Sequence, residues 1–146
     1  MILLSQHLVL HAAIILFAAL LFGGPYARAI KRNAEFQVIN SWRVAHQSLT
    51  IGALLLFCMA YALPLLIIPI ALKIAIAIFF TLSGYAFTIS TPLAAITKDR
   101  GLATGATGIA RLVYIGNMVG AVSSLIASGL LVIGALFSIL SSQGWL

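Results

Sequence analysis

Residues 48–68 have the sequence SLTIGALLLFCMAYALPLLII, a segment without a charged side chain. A helix needs about 20 mainly apolar residues to cross the hydrocarbon core of a bilayer, and this segment is long enough. It is continuously apolar rather than alternating, which favours a transmembrane helix over a strand of a membrane barrel. Three further segments have the same character, with approximate bounds Ile2–Phe22, Ala71–Ile96 and Leu112–Leu140.

The chain is therefore predicted to be all-α, an integral membrane bundle of four transmembrane helices that forms a single domain over residues 1–146. Pro92 lies inside the third helix and is expected to kink it or to end it early. The composition agrees with a membrane protein, since 63% of the residues are hydrophobic, 7% are charged and the mean hydropathy is +1.20. A soluble domain carries about 25% charged residues.

The acidic residues exclude several kinds of chemistry. Glu35 and Asp99 are the only acids in the sequence, and both lie in predicted loops. Hydrolysis by a pair of intramembrane carboxylates is excluded, and so is a Ser-His-acid triad inside a span.

The basic residues indicate an orientation. Seven of the eight lie in the first and third predicted loops, namely Arg28, Lys31, Arg32, Arg43, Lys98, Arg100 and Arg111, and Lys73 lies on the opposite side. The positive-inside rule places those two loops in the cytoplasm and both termini outside. We expect a multi-pass protein in the lipid bilayer of a bacterial inner membrane. Nucleic acid is not expected as a partner, because no basic stripe is interleaved with aromatic residues.

Three histidines are the ionisable residues in or beside the predicted spans, where such groups mark candidate sites. His7 and His11 share one helix face, so they either hold a transition metal or pack against polar groups of neighbouring helices. His46 follows Trp42 and Arg43 at the predicted start of the second helix. It either holds a haem iron, with arginines pairing with the propionates, or forms a hydrogen bond at the helix start.

The depths of these histidines bear on how an iron would be ligated. His11 lies about 19 Å from the inner face of the membrane, because about 13 helical residues follow it in the first span. His46 is expected within a turn or two of that face. Two histidines on one iron must both approach to about 2 Å, so ligation by His11 and His46 together is disfavoured. One protein ligand leaves a position open for a substrate or a gas.

The fourth predicted helix carries a row of small residues at intervals of four: Gly116, Gly120, Ser124 and Ser128. Such a row lets another helix approach closely, either within the chain or between subunits. Asn117 lies beside the row and either forms a hydrogen bond across the helix contact or faces a cavity.

Short motifs connect the chain with a known family. Trp42-Arg43-Val44-Ala45-His46 is similar to the pattern Trp-x-x-Ala-His of the styrene oxide isomerases, and Leu63-Pro64 follows at the family's distance. Other matching residues are Leu20-Leu21-Phe22-Gly23 after His11, Gly84 with Tyr85, and Arg100-Gly101-Leu102. Through the joint spacing of these motifs the chain resembles a divergent member of this family of four-helix membrane proteins.

The resemblance implies a homotrimer that binds haem b between neighbouring subunits, with His46 as the axial ligand of the iron. It also implies that ferric haem acts as a Lewis acid on the oxygen of a small apolar epoxide, which rearranges to an aldehyde. This chemistry needs no protein carboxylate, and a dry pocket protects it from water. The candidate cofactor-binding residues are His46, which is also the metal ligand, Arg43, Trp42 and Arg100.

Two positions depart from the family pattern. An asparagine that positions the substrate, six residues after the haem histidine, corresponds to Gly52, and a tyrosine on the third helix corresponds to Thr91. Residues that could replace the missing asparagine and tyrosine are Thr50, Tyr85, Thr88 and Asn117. The candidate catalytic residues are Thr91, Gly52, Tyr85 and Asn117. Two alternatives to an isomerase follow: a haem-binding membrane protein with a sensing or electron-transfer role, and a structural membrane subunit without a cofactor.

Overall fold

The computed structural model describes residues 2–102 and 107–143, which form four α-helices. Their bounds are Ile2–Lys31 for α1, Phe36–Leu65 for α2, Ile70–Thr97 for α3 and Gly108–Ser142 for α4. Each helix is long and apolar enough to cross a membrane, and no strand occurs in the described ranges. The predicted all-α membrane bundle is confirmed, and the chain is a multi-pass membrane protein.

Two helices extend well beyond the predicted spans at the end that carries the basic residues. α1 continues through Pro25 to Lys31, and α2 begins at Phe36. Basic side chains in the last turn of α1 are favourable because they lie at the negative end of the helix dipole. His46 therefore lies about 15 Å along α2 from its first residue. The prediction that His46 lies at a helix start is wrong.

Pro92 does not end α3, which continues to Thr97. Proline lacks an N–H group, so the helical hydrogen bond to the carbonyl of Thr88 is lost. Ser90 and Ala95, on either side of the proline, are buried, so the helix stays packed against its neighbours across the missing bond. The expectation of an early end is therefore wrong.

The helices form two hairpins, α1 with α2 and α3 with α4, because short connections make sequential helices antiparallel neighbours. α3 joins the hairpins by packing on both α1 and α2. Among the four helices of the described residues, α4 packs on α3 alone, and it also bonds to the connection between α2 and α3, where the N–H of Ile67 donates to Oγ of Ser138 at 2.8 Å. Lys98 lies at the end of α3 and pairs with Glu35, Nζ to Oε2 at 3.1 Å. This ion pair brings the two basic connections to the same end of the bundle.

The core lies where α1, α2 and α3 meet. Its large buried side chains include Leu8, Ile15, Leu56, Leu63 and Ile76. Large apolar side chains also cover the outer surface of all four helices. Such a surface suits lipid, because lipid tails are as apolar as the side chains themselves.

The small residues of α4 divide between two environments. A Cβ atom added to Gly116 would lie 2.7 Å from the Cβ of Ser90, and one added to Gly120 would lie 2.8 Å from the ring of Phe87. These two glycines therefore form a close contact with α3 within the chain. Ser124 is half-buried and Ser128 is exposed, so the row does not continue as one packed interface.

Candidate functional site

His46 is held against α1 by a backbone hydrogen bond. Its Nδ1 atom lies 2.8 Å from the carbonyl oxygen of Ala19. A carbonyl oxygen can only accept, so Nδ1 carries the hydrogen and the lone pair is on Nε2. The ring of Tyr26 stacks on the imidazole with a centroid distance of 6.3 Å and an interplanar angle of 27°. A Cβ atom on Gly23 would lie 3.4 Å from Cε1 of the imidazole, so a glycine at this position leaves room for the ring of His46.

This arrangement of His46 is typical of a histidine that ligates a metal. Metal-bound imidazoles usually donate the N–H of the other ring nitrogen to a carbonyl or carboxylate, which fixes the tautomer and the ring orientation. The Nε2 atom makes no hydrogen bond to any residue in the described ranges. The donor set therefore fits a haem iron that takes one imidazole ligand from this chain.

The spacing on α1 explains why sequence analysis missed the neighbours of this imidazole. Ala19, Gly23 and Tyr26 occupy positions i, i+4 and i+7, which lie on one helix face. This spacing can be recognised only if the first helix is extended past Pro25, whereas the predicted span ended at Phe22.

The surface of α2 beside the imidazole carries polar side chains that point away from the core. Arg43 and Gln47 are exposed, and the guanidinium of Arg43 donates to Oδ1 of Asn40 on the same helix. Trp42 packs on Phe22 of α1 with ring centroids 6.1 Å apart. Polar groups that face lipid inside a membrane are costly. This surface therefore favours contact with a cofactor or another protein surface.

A mainly apolar groove of about 430 Å³ runs between α2 and α4, with α3 as its floor. It lies between two helices whose backbones do not approach each other closely within the described residues. The walls include Val44, Gly52 and Leu56 of α2, Phe80 and Thr91 of α3, and Asn117 of α4.

The hydroxyl groups of the groove donate to backbone carbonyls. Their acceptors are Phe87 for Thr91, Gly120 for Ser83, Ala121 for Ser124 and Val44 for Ser48. Asn117 differs because its Nδ2 atom donates one hydrogen to the carbonyl of Arg100, at 3.0 Å. Its second amide hydrogen makes no bond to the described residues, so Asn117 is the candidate donor to a bound ligand. Of the two alternatives for Asn117 the second holds, since it faces a cavity, whereas its hydrogen bond goes to the connection after α3 and not across a helix contact.

A smaller and more polar cavity of about 270 Å³ adjoins the groove at the end that carries the basic residues. It shares Val44, Thr91 and Asn117 with the groove. Asn40, Ser41 and Arg100 also line it. The groove is therefore apolar within the bundle and polar at one mouth.

Three of the four candidate catalytic residues, Gly52, Thr91 and Asn117, lie together in the groove. Tyr85 lies elsewhere, in a second cavity of about 430 Å³ that also contains His7 and His11. The structure thus separates Tyr85 from the other three.

His11 packs against a polar group of a neighbouring helix, one of its two predicted alternatives. Its Nδ1 lies 2.9 Å from the hydroxyl oxygen of Tyr85, and its ring meets the tyrosine ring edge to face. The ring of His7 stacks on that of His11 with centroids 6.3 Å apart. No group of three or more candidate metal ligands occurs among the described residues.

The candidate cofactor-binding residues are divided between two sides of α2. His46 and Trp42 face α1, whereas Arg100 lines the polar cavity on the groove side. Six residues separate His46 from Gly52, which places them about 120° apart around the helix. His46 is also at the level of Ala19, about 12 Å along α1 from His11.

These features define a class of protein: a four-helix membrane bundle with one intramembrane imidazole suited to bind a metal and an apolar groove with an amide donor. The family model described as styrene oxide isomerase matches residues 4–136. The match covers nearly the whole chain, so the protein belongs to the styrene oxide isomerase family, and the resemblance carried by the motifs is confirmed. Comparison with curated proteins gave no match.

Proposed function

We propose that this protein is a membrane epoxide isomerase that binds haem b through Nε2 of His46. The environment of that ring carries the proposal, because Nδ1 donates to the carbonyl of Ala19 and Nε2 keeps its lone pair. Membership of the styrene oxide isomerase family supports the type of reaction. The reaction converts an epoxide such as styrene oxide to an aldehyde without gain or loss of atoms.

Bound ferric haem would supply a Lewis acid for the epoxide oxygen. The role of the protein is to hold the haem and to orient the substrate. His46 would ligate the iron, and Gly23 leaves the imidazole clearance. Arg43 and Arg100 are the candidate partners of the propionates, because a guanidinium binds a carboxylate through two parallel hydrogen bonds.

The groove suits a reaction that must exclude water. In the isomerisation the benzylic C–O bond breaks, a hydride moves from the neighbouring carbon to the benzylic carbon, and the aldehyde forms. Water at the benzylic carbon would give a diol instead, and apolar walls such as Phe80 and Leu56 keep water away. The amide hydrogen of Asn117 would orient the substrate oxygen.

The division of the site around α2 supports an oligomer. His46 and the groove lie on different sides of this helix, and the surface between them carries the exposed polar side chains of Arg43 and Gln47. A second copy packed on this surface would cover them and bring its own groove to the imidazole. We propose a homotrimer, and cross-linking of the purified protein in detergent would distinguish it from other ring sizes.

The end that carries the basic residues is proposed to face the cytoplasm. Seven of the eight basic residues lie at that end, either in its two connections or in the helix turns near them, which supports this orientation. A cysteine introduced at Ser142 in a Cys58→Ser background would then react with a membrane-impermeant maleimide added outside intact cells.

The test of the cofactor is an absorption spectrum of the detergent-purified protein, before and after addition of hemin and then dithionite. A Soret band that shifts on reduction and on addition of nitric oxide is expected for a haem with one protein ligand. His46→Ala should lose this band, and His11→Ala is the matched control that should keep it. Loss of the Soret band in His11→Ala but not in His46→Ala would show that His11, and not His46, ligates the iron.

A second candidate function is haem binding without isomerisation, in gas sensing or electron transfer. One observation favours it: the hydroxyls of Thr91, Ser83 and Ser124 are engaged with backbone carbonyls, so few donors face the groove. A haem that never binds nitric oxide or cyanide would indicate electron transfer. A haem that binds them, in a protein that converts no epoxide, would indicate sensing.

A further inference from the structure

The groove is long compared with a one-ring epoxide. Its α2 wall runs from Val44 to Leu56, which is about 18 Å along the helix axis. The α3 floor runs from Phe80 to Thr91, which is about 16 Å. The groove therefore has a similar length along α2 and along α3. A molecule that fills this space is elongated.

The two ends of the groove differ in chemistry. Asn117 and Thr91 lie at the end shared with the polar cavity. Leu56 and Phe80 lie at the other end and offer no hydrogen bond from their side chains, and the hydroxyls of Ser83 and Ser124 near them already donate to backbone carbonyls. The oxygen of a ligand therefore belongs at the polar end, and an apolar chain belongs along the remaining length.

Gly52 lies between the two ends. A Cβ atom on this glycine would meet no described residue within 4 Å, so no helix contact in the described part of the chain requires glycine at the position. Glycine in a helix interior is less stable than alanine, and packing does not compensate for it here. Its effect is to leave the groove open about 12 Å beyond Val44, where a chain would have to pass.

We infer that the substrate is an epoxide with a long linear alkyl chain, whose reacting group lies at Asn117 and whose chain passes Gly52 toward Phe80. This inference rests on the proposed function and adds the class of substrate. A one-ring epoxide without a chain occupies the polar end and leaves the rest of the groove unfilled. Gly52 is then the residue that determines the accepted length.

The test uses styrene oxide, 4-butylstyrene oxide and 4-octylstyrene oxide, which share one reacting centre and differ in length. The variant Gly52→Leu fills the middle of the groove. Its kcat/KM relative to that of the unmodified protein should fall at least about tenfold more for the octyl compound than for styrene oxide, as overpacking predicts. Comparison of variants on the same substrate cancels its partition into detergent.

Gly129→Leu is the matched control, because Gly129 is also a helical glycine whose added Cβ would meet no described residue within 4 Å, but it is exposed on α4. This variant should leave kcat/KM for all three epoxides unchanged. Octylbenzene, which cannot react, provides a second readout. It should raise the unfolding temperature of the unmodified protein and of Gly129→Leu more than that of Gly52→Leu.

The outcomes separate this inference from the proposed function. An equal fall for all three epoxides in Gly52→Leu, or rejection of the octyl compound by the unmodified protein, overturns the inference and leaves the isomerase intact. A haem-loaded protein that converts none of the three epoxides refutes the isomerase. In that case equal stabilisation of all variants by octylbenzene also refutes the long groove site.

Discussion

The turn after α3 allows a quantitative prediction, because two glycines with the same backbone conformation differ in the space around them. Gly101 has φ +61° and Gly108 has φ +57°. A Cβ on Gly101 would lie 2.8 Å from the backbone nitrogen of Tyr114 and 2.6 Å from a methyl carbon of Val113, whereas one on Gly108 would meet none of the residues that the structure describes within 4 Å. The left-handed conformation costs about 1–2 kcal/mol for an alanine at either position.

The contact with α4 adds a further cost at Gly101 alone. Overpacking against backbone that cannot move away costs typically about 1–3 kcal/mol. Gly101→Ala should therefore lower the free energy of unfolding by about 2–5 kcal/mol, and Gly108→Ala by about 1–2 kcal/mol. The change should also reach the groove, because Asn117 donates to the carbonyl of Arg100 in this turn.

The assay is equilibrium unfolding of both variants in mixed micelles titrated with sodium dodecyl sulfate, followed by tryptophan fluorescence. Subtracting the Gly108→Ala value from that of Gly101→Ala removes the conformational strain common to both. The remainder should be about 1–3 kcal/mol. Equal destabilisation by the two substitutions would refute the claim that the turn is packed against α4.

Three further predictions concern the site. Gly23→Leu should press on the imidazole of His46 and lower haem occupancy measured by the Soret absorbance. Gly24→Leu, where an added Cβ meets no residue of the described ranges within 4 Å, should leave occupancy unchanged. Asn117→Asp, which removes the amide donor, should lower kcat for styrene oxide about tenfold or more at unchanged haem content; an unchanged kcat would remove Asn117 from the site. Tyr85→Phe should change kcat less than about twofold, because this residue lies in the other cavity, and a large loss would show that the cavities are coupled.

The fold was predictable from the sequence because length and apolarity of the spans are enough to define transmembrane helices. The ends of the helices were not predictable in the same way. The segment of α1 after Phe22 and the segment of α2 before Ser48 contain charged and polar residues, so they do not satisfy the criterion for a span. They are helical because a helix satisfies its own backbone hydrogen bonds wherever it lies.

The site was predictable in part. His46 was identified as a candidate ligand because an imidazole inside a membrane is rare and costly. Its partner, the carbonyl of Ala19, could not be identified, because a backbone group has no sequence signature. Tyr85 and Thr91 are six residues apart on α3 and so lie about 120° apart around it, which explains why they line different cavities.

The most direct test of the central claim is the conversion of styrene oxide that carries two deuterium atoms on its terminal carbon, followed by mass spectrometry of the product. The account predicts phenylacetaldehyde that retains both deuterium atoms, because the hydride moves within the molecule, and it predicts no aldehyde from His46→Ala. A diol, loss of deuterium to water, or equal conversion by His46→Ala would contradict an isomerase that works through a haem on His46.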